Sequence, residues 1–153
     1  MKVYTLKTVQ NLKISLDEAW SFFSDPNNLK KITPNHLGFH ITNDIPDKMH
    51  PGMLITYKLS PIKGFPVTWV TEITQVSEPN YFIDNQRFGP YSMWHHQHFF
   101  KEIEGGVEMI DLIHYVVPFG ILGQIANSLF VRRQLNGIFA YRKKVLKELF
   151  GEI

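Results

Sequence analysis

His96 and His98 stand two residues apart in the run Trp94-His95-His96-Gln97-His98-Phe99-Phe100. In an extended chain alternate side chains share a face, so the two rings point the same way. Imidazole titrates near neutral pH and, when neutral, ligates metals. Beside a carboxylate such a pair supports three chemistries. One is general acid/base catalysis with Asp84 or Asp111 orienting a ring. Another is an open metal site whose third ligand is Asp84 or Asp111. The third is a polar patch that hydrogen-bonds the head of a mostly apolar guest. The last is our principal reading, and we expect neither a metal nor a cofactor. Arg142 is the other candidate. Plotted at 100° per residue, Val131, Leu135, Ile138, Phe139, Val145, Leu146 and Leu149 form one stripe, with Arg132, Arg133, Lys143, Lys144 and Lys147 opposite. Arg142 falls within the apolar stripe. Either its stem packs and its head reaches water, or its guanidinium enters the interior and needs a carboxylate, because an unpaired buried charge is very costly.

Strand pairing must bring these groups together. A two-residue turn at Gly105-Gly106 pairs Glu104 with Val107, hence Phe100 with Asp111, His98 with Ile113 and His96 with Tyr115. A three-residue loop at Gly89-Pro90-Tyr91 sets Asp84 opposite His96 and Gln86 opposite Trp94. Trp69, Thr71 and Ile73 extend that face on the next strand. We assign Asp84, Trp94, His96, His98, Asp111 and Tyr115 to the inner face, with Arg142 above it.

The supporting elements follow from local signals. Residues 3–10 read as a strand. Ser15-Leu16-Asp17-Glu18 is a capping box that starts a helix carrying Ala19, Trp20, Phe22 and Phe23, and Asp25-Pro26 caps a second short one with Leu29 and Ile32. Strands are expected over 37–42, 53–59, 66–76, 81–88, 91–102 and 107–117, with a loop over 60–64. About 28 residues from Leu122 onward read as one long helix. The segment 118–122 is either an apolar lid or a turn that packs. The fold class is α+β: a curved antiparallel sheet of six or seven strands wrapped around the C-terminal helix, with a hollow between them.

The chain has 153 residues, 44% hydrophobic and 20% charged. That length suits one domain, 1–153. Sixteen Lys and Arg against fourteen Asp and Glu leave +2, too little to imply a nucleic-acid partner. The basic helix face reads as solvated surface. Zero cysteine excludes disulfides, thiolate metal sites and cysteine nucleophiles, and it fits a reducing cytoplasm, where we expect the protein. The N-terminus lacks the apolar core of a signal peptide, and no stretch suits a membrane span, so no integral membrane association is expected. Phosphate-cradling loops and serine elbows are absent.

The pattern resembles the START-like helix-grip superfamily, also called SRPBCC, and within it the bacterial ligand-binding SRPBCC domain group. The resemblance covers nearly the whole chain. It rests on Phe82-Ile83-Asp84-Asn85-Gln86, Gly89-Pro90-Tyr91, the Trp94 to Phe100 run, Asp111, and Tyr115-Val116-Val117-Pro118-Phe119-Gly120, with Arg142 also in place. It implies a helix-grip fold whose cavity takes a small hydrophobic molecule; no catalytic motif carries over. The expected contacts are Trp69, Asp84, Gln86, Trp94, His96, His98, Asp111, Tyr115 and Arg142, the aromatic rings as walls and the ionisable groups as a polar end. The alternative is an enzyme of the cyclase, dehydratase or isomerase kind using a His/Asp pair in the same cavity.

Overall fold

The computed structural model describes residues 1–62 and 65–153. Strand β1 (Tyr4–Leu12) leads into helix α1 (Leu16–Phe23), where the capping box forms: Ser15 Oγ accepts from the Glu18 amide and the Glu18 carboxylate accepts from the Ser15 amide. The second short helix is a 3-10 turn, Pro26–Lys30, capped by Asp25. A further 3-10 turn, Asn35–Leu37, ends at Gly38 in the left-handed region, which leaves only His40–Ile41 to form β2. The strand expected over 37–42 is thus shortened by a turn that the Pro34-Asn35 and Gly38 chemistry favours. Strands β3 (Leu54–Ile62), β4 (Phe65–Ser77), β5 (Tyr81–Phe88), β6 (Met93–Ile103) and β7 (Gly106–Val116) complete a curved seven-stranded antiparallel sheet in the order β1-β7-β6-β5-β4-β3-β2. The loop expected over 60–64 lies partly outside the described residues, and residues 60–62 belong to β3.

Asp84 pairs with His96, as the three-residue loop requires. The β6–β7 register differs from expectation by two residues: Ile103 pairs with Gly106, His98 with Asp111, His96 with Ile113 and Trp94 with Tyr115. The turn is Glu104-Gly105, because Gly105 takes the positive-φ position that a side chain disfavours. A shift of two preserves face parity, so the same side chains still point inward.

The C-terminal helix starts earlier than expected and is not uniform. Helix α2 (Gly120–Ala126) passes through a π-helical turn, Asn127–Val131, into α3 (Arg132–Phe150). The buried Asn127 marks the irregularity, its side-chain oxygen accepting from Tyr115 Oη at 3.0 Å. Tyr115→Phe leaves that oxygen without its donor and is expected to lower unfolding stability by about 1–2 kcal/mol in urea titrations. An unchanged midpoint would show that the bond contributes nothing.

Leu135, Phe139, Arg142 and Leu146 form the buried stripe of α3, while Leu149 is exposed. Two apolar clusters result. One gathers Leu12, Trp20, Phe82, Phe100, Met109 and Leu146; the other Trp69, Trp94, Ile113, Tyr115, Leu135 and Phe139. Between them on β6, β7 and α3 lie the ionisable residues. Among the described residues no helix is long and apolar enough to cross a membrane.

Candidate functional site

Asp111 is fully buried on β7, and one of its oxygens faces three basic nitrogens. Oδ1 lies 2.9 Å from His96 Nε2, 3.0 Å from His98 Nδ1 and 3.5 Å from Arg142 Nη1. On the far side of the rings, Asp84 Oδ2 lies 2.8 Å from His98 Nε2 and 3.7 Å from His96 Nδ1. The imidazoles themselves approach to 3.7 Å between centroids. Arg142 takes the interior course of the two open from its helix position: it is buried, and its guanidinium sits 4.6 Å over the Phe139 ring.

The electrostatics divide the two histidines. Burial, reinforced by neighbouring His98, pushes His96 down to about 4, so it is neutral at pH 7. Burial also acts against a charge on His98, but hydrogen bonding and attraction from Asp111 and Asp84 outweigh it and raise its pKa above the ordinary value. Asp111 shows the same contest. Burial opposes its ionisation, yet Arg142 and the two rings hold its carboxyl well below the usual range. The result is a compact charge-balanced cluster, which a low-dielectric interior tolerates only when its members are paired.

This cluster forms part of the wall of a hollow of about 1410 Å³ between the sheet and the helix. Trp69, Asp84, Trp94, His96, His98 and Arg142 border it. Three other expected contacts lie behind the wall. Asp111 sits beneath the rings; Tyr115 donates to Asn127; and Gln86 donates to the Tyr91 carbonyl at 2.7 Å while its own oxygen accepts from the Tyr91 amide. Gln86 thereby ties the β5–β6 loop and places the Tyr91 ring 4.9 Å from Trp94 and 5.6 Å from Trp69. Tyr57, Tyr91 and Phe139 also border the hollow, and sequence reasoning did not put them in the site. Tyr57 carried a signal, standing in an alternating strand; Tyr91 stood in a loop with no periodicity to read. Of the segment 118–122, Pro118 and Phe119 border the hollow, while Ile121 and Leu122 are exposed. Among the described residues, Trp69 Nε1, Arg142 Nε and Asp111 Oδ2 are buried polar atoms with no hydrogen-bond partner in the protein.

No protein-family model matches the chain, and no curated protein matches it. Solved structures do. Protein CV1439 from Chromobacterium violaceum superposes with a TM-score of 0.71 at 12% identity, over 97% of this chain and 99% of that one. Protein Ms6760 from Mycobacterium smegmatis gives 0.66 at 18% identity, over 97% and 98%. Ara h 8.0201, a Bet v 1 fold protein, gives 0.61 at 12% identity, over 96% and 99%. At these identities the likeness concerns architecture alone: the chain has a helix-grip fold.

Proposed function

We propose that the chain binds a small, largely apolar molecule in the hollow between sheet and helix, as the resemblance to the bacterial ligand-binding SRPBCC group implies. The observation that carries this reading is the composition of the wall: aromatic and aliphatic side chains over much of it, with Asp84, His96, His98 and Arg142 brought together at one place. Apolar lining with a few convergent polar groups is the usual make-up of a small-molecule site, the rings supplying contact area and the polar groups fixing orientation. In this reading Trp69, Asp84, Trp94, His96, His98 and Arg142 touch the guest, whereas Gln86, Asp111 and Tyr115 position those that do. Acid/base catalysis has less support. With its pKa near 4, His96 is a weak base at neutral pH, and both nitrogens of His98 face carboxylates.

Native mass spectrometry of freshly purified protein is expected to find a co-purifying apolar compound, and an environment-sensitive apolar dye should bind in its place. Trp94→Ala should weaken dye binding roughly 10-fold or more, because one buried aromatic side chain contributes about 1.5–3 kcal/mol. A folded wild-type protein that takes up neither compound nor dye would overturn the proposal.

A further inference from the structure

We propose that Asp84, His96 and His98 hold one divalent transition-metal ion, of the zinc or iron(II) kind, with its open side toward the hollow. Asp111 lies against both imidazoles. One carboxylate oxygen lies within 3.0 Å of a nitrogen on each ring, Nε2 of His96 and Nδ1 of His98. Both rings are therefore turned so that their other nitrogens face a single second carboxylate, that of Asp84. Asp84, His96 and His98 each offer one ligand atom, and these lie within 4.8 Å of one another. An ion with bonds of about 2.0–2.2 Å needs its ligand atoms roughly 3–3.5 Å apart, so small side-chain movements suffice to close on it.

The outer arrangement also matches what metal-binding imidazoles require. A ligating histidine nearly always gives its remaining N–H to a carboxylate or carbonyl, which fixes the tautomer and raises ligand basicity. Asp111 is placed to do this for both rings at once, and Arg142 in turn neighbours Asp111. The sequence left the third ligand open between Asp84 and Asp111. The geometry separates them: Asp84 borders the hollow with both histidines, and Asp111 lies behind the rings as their common support. Two nitrogens and one carboxylate oxygen with an open position suit zinc or iron(II) better than calcium or magnesium, which prefer all-oxygen shells.

Charge then specifies the guest, and this step rests on the ligand-binding reading above. The ion binds between His98 Nε2 and Asp84 with both imidazoles in their neutral form. Two carboxylates, one guanidinium and one divalent ion leave the cluster with one net positive charge, enclosed in a largely apolar wall. An anionic oxygen at the open position neutralises it. The guest class is therefore an apolar body ending in a carboxylate or enolate.

The test uses tag-free, full-length protein, stripped with a chelator, reloaded with zinc or cobalt(II), and desalted. One ion per chain should remain, and cobalt should show the strong visible absorption of a four- or five-coordinate site. Asp84→Ala and His96→Leu should each weaken zinc binding about 100-fold, while exposed His50→Ala should not change it. A wild-type protein that retains no ion, or a folded Asp84→Ala or His96→Leu that binds zinc as tightly as wild type, overturns the site. Octanoate should bind the zinc-loaded protein at least 10-fold more tightly than the stripped one, with octanol little affected; equal enhancement of both overturns the guest class. The apolar dye assay on stripped protein keeps the readings apart. Dye uptake without metal retention refutes the ion alone, and metal retention without dye uptake refutes the hollow as a ligand site.

Discussion

Asp111→Asn should destabilise metal-stripped protein by about 3–5 kcal/mol, the usual consequence of deleting one partner of a buried ion pair. The substitution keeps the shape of the side chain, removes its charge and turns one acceptor oxygen into an NH2 donor. Arg142 is then left in the interior without its counter-ion, and both rings lose the anion that turns them. For a chain of this size the loss corresponds to a fall in Tm of roughly 10 °C or more. Adding Arg142→Met removes the stranded guanidinium while retaining an unbranched stem against Phe139. The double variant should therefore recover at least about 1 kcal/mol relative to the sum of the single changes. A double-variant loss equal to the sum of the single losses, or a loss below about 1 kcal/mol for Asp111→Asn, would show that the cluster is not coupled.

Stability of the stripped protein should also fall steeply on acidification from pH 6.5 to 4. His96 titrates near 4 when folded and near 6.5 when unfolded. Through that interval the unfolded chain binds a proton that the folded chain refuses, so lowering the pH favours unfolding. The contribution is complete above 6.5 and gone below 4; at about 1.4 kcal/mol per decade it amounts to roughly 3 kcal/mol. His98 has the opposite sign. Its raised pKa stabilises the fold below 6.5, and that support is lost as pH rises through the folded value. Asp111, held low, contributes above its unfolded value near 3.8 and gives way only at stronger acidity. The cluster thus favours a maximum just above pH 6.5. Urea unfolding at pH 7, 5.5 and 4.5 should show the acid slope markedly flattened in His96→Gln; identical slopes would remove His96 as the cause.

How much of this was legible beforehand depended on the range of the interaction. The Ser15–Glu18 box involves four consecutive residues, and it formed as read. Strand alternation put His96, His98 and Asp111 on one face, and that survived a register error because an even shift preserves parity. Arg142 was visible as a cation within an apolar stripe. What the sequence hid is what two-residue differences decide. Under the assumed pairing His98 faced Ile113; in the structure it faces Asp111, and only then does a single carboxylate reach both rings. Asn127 was equally opaque, since nothing local distinguishes a helical Asn in water from one that accepts a hydrogen bond from a tyrosine across the core. The place of Tyr91 depends on a clamp from Gln86, five residues away and across a loop.

The ionisable layer lies between two oily ones on sheet and helix alike, and this restricts how the molecule can open. Sliding α3 along the sheet by one turn, about 5.4 Å, would set Phe139 or Leu146 against Asp111 and drive Arg142 into hydrocarbon. The layer therefore acts as a detent against piston-like travel. At the start of the rod, exposed Phe119 meets the rim of the hollow.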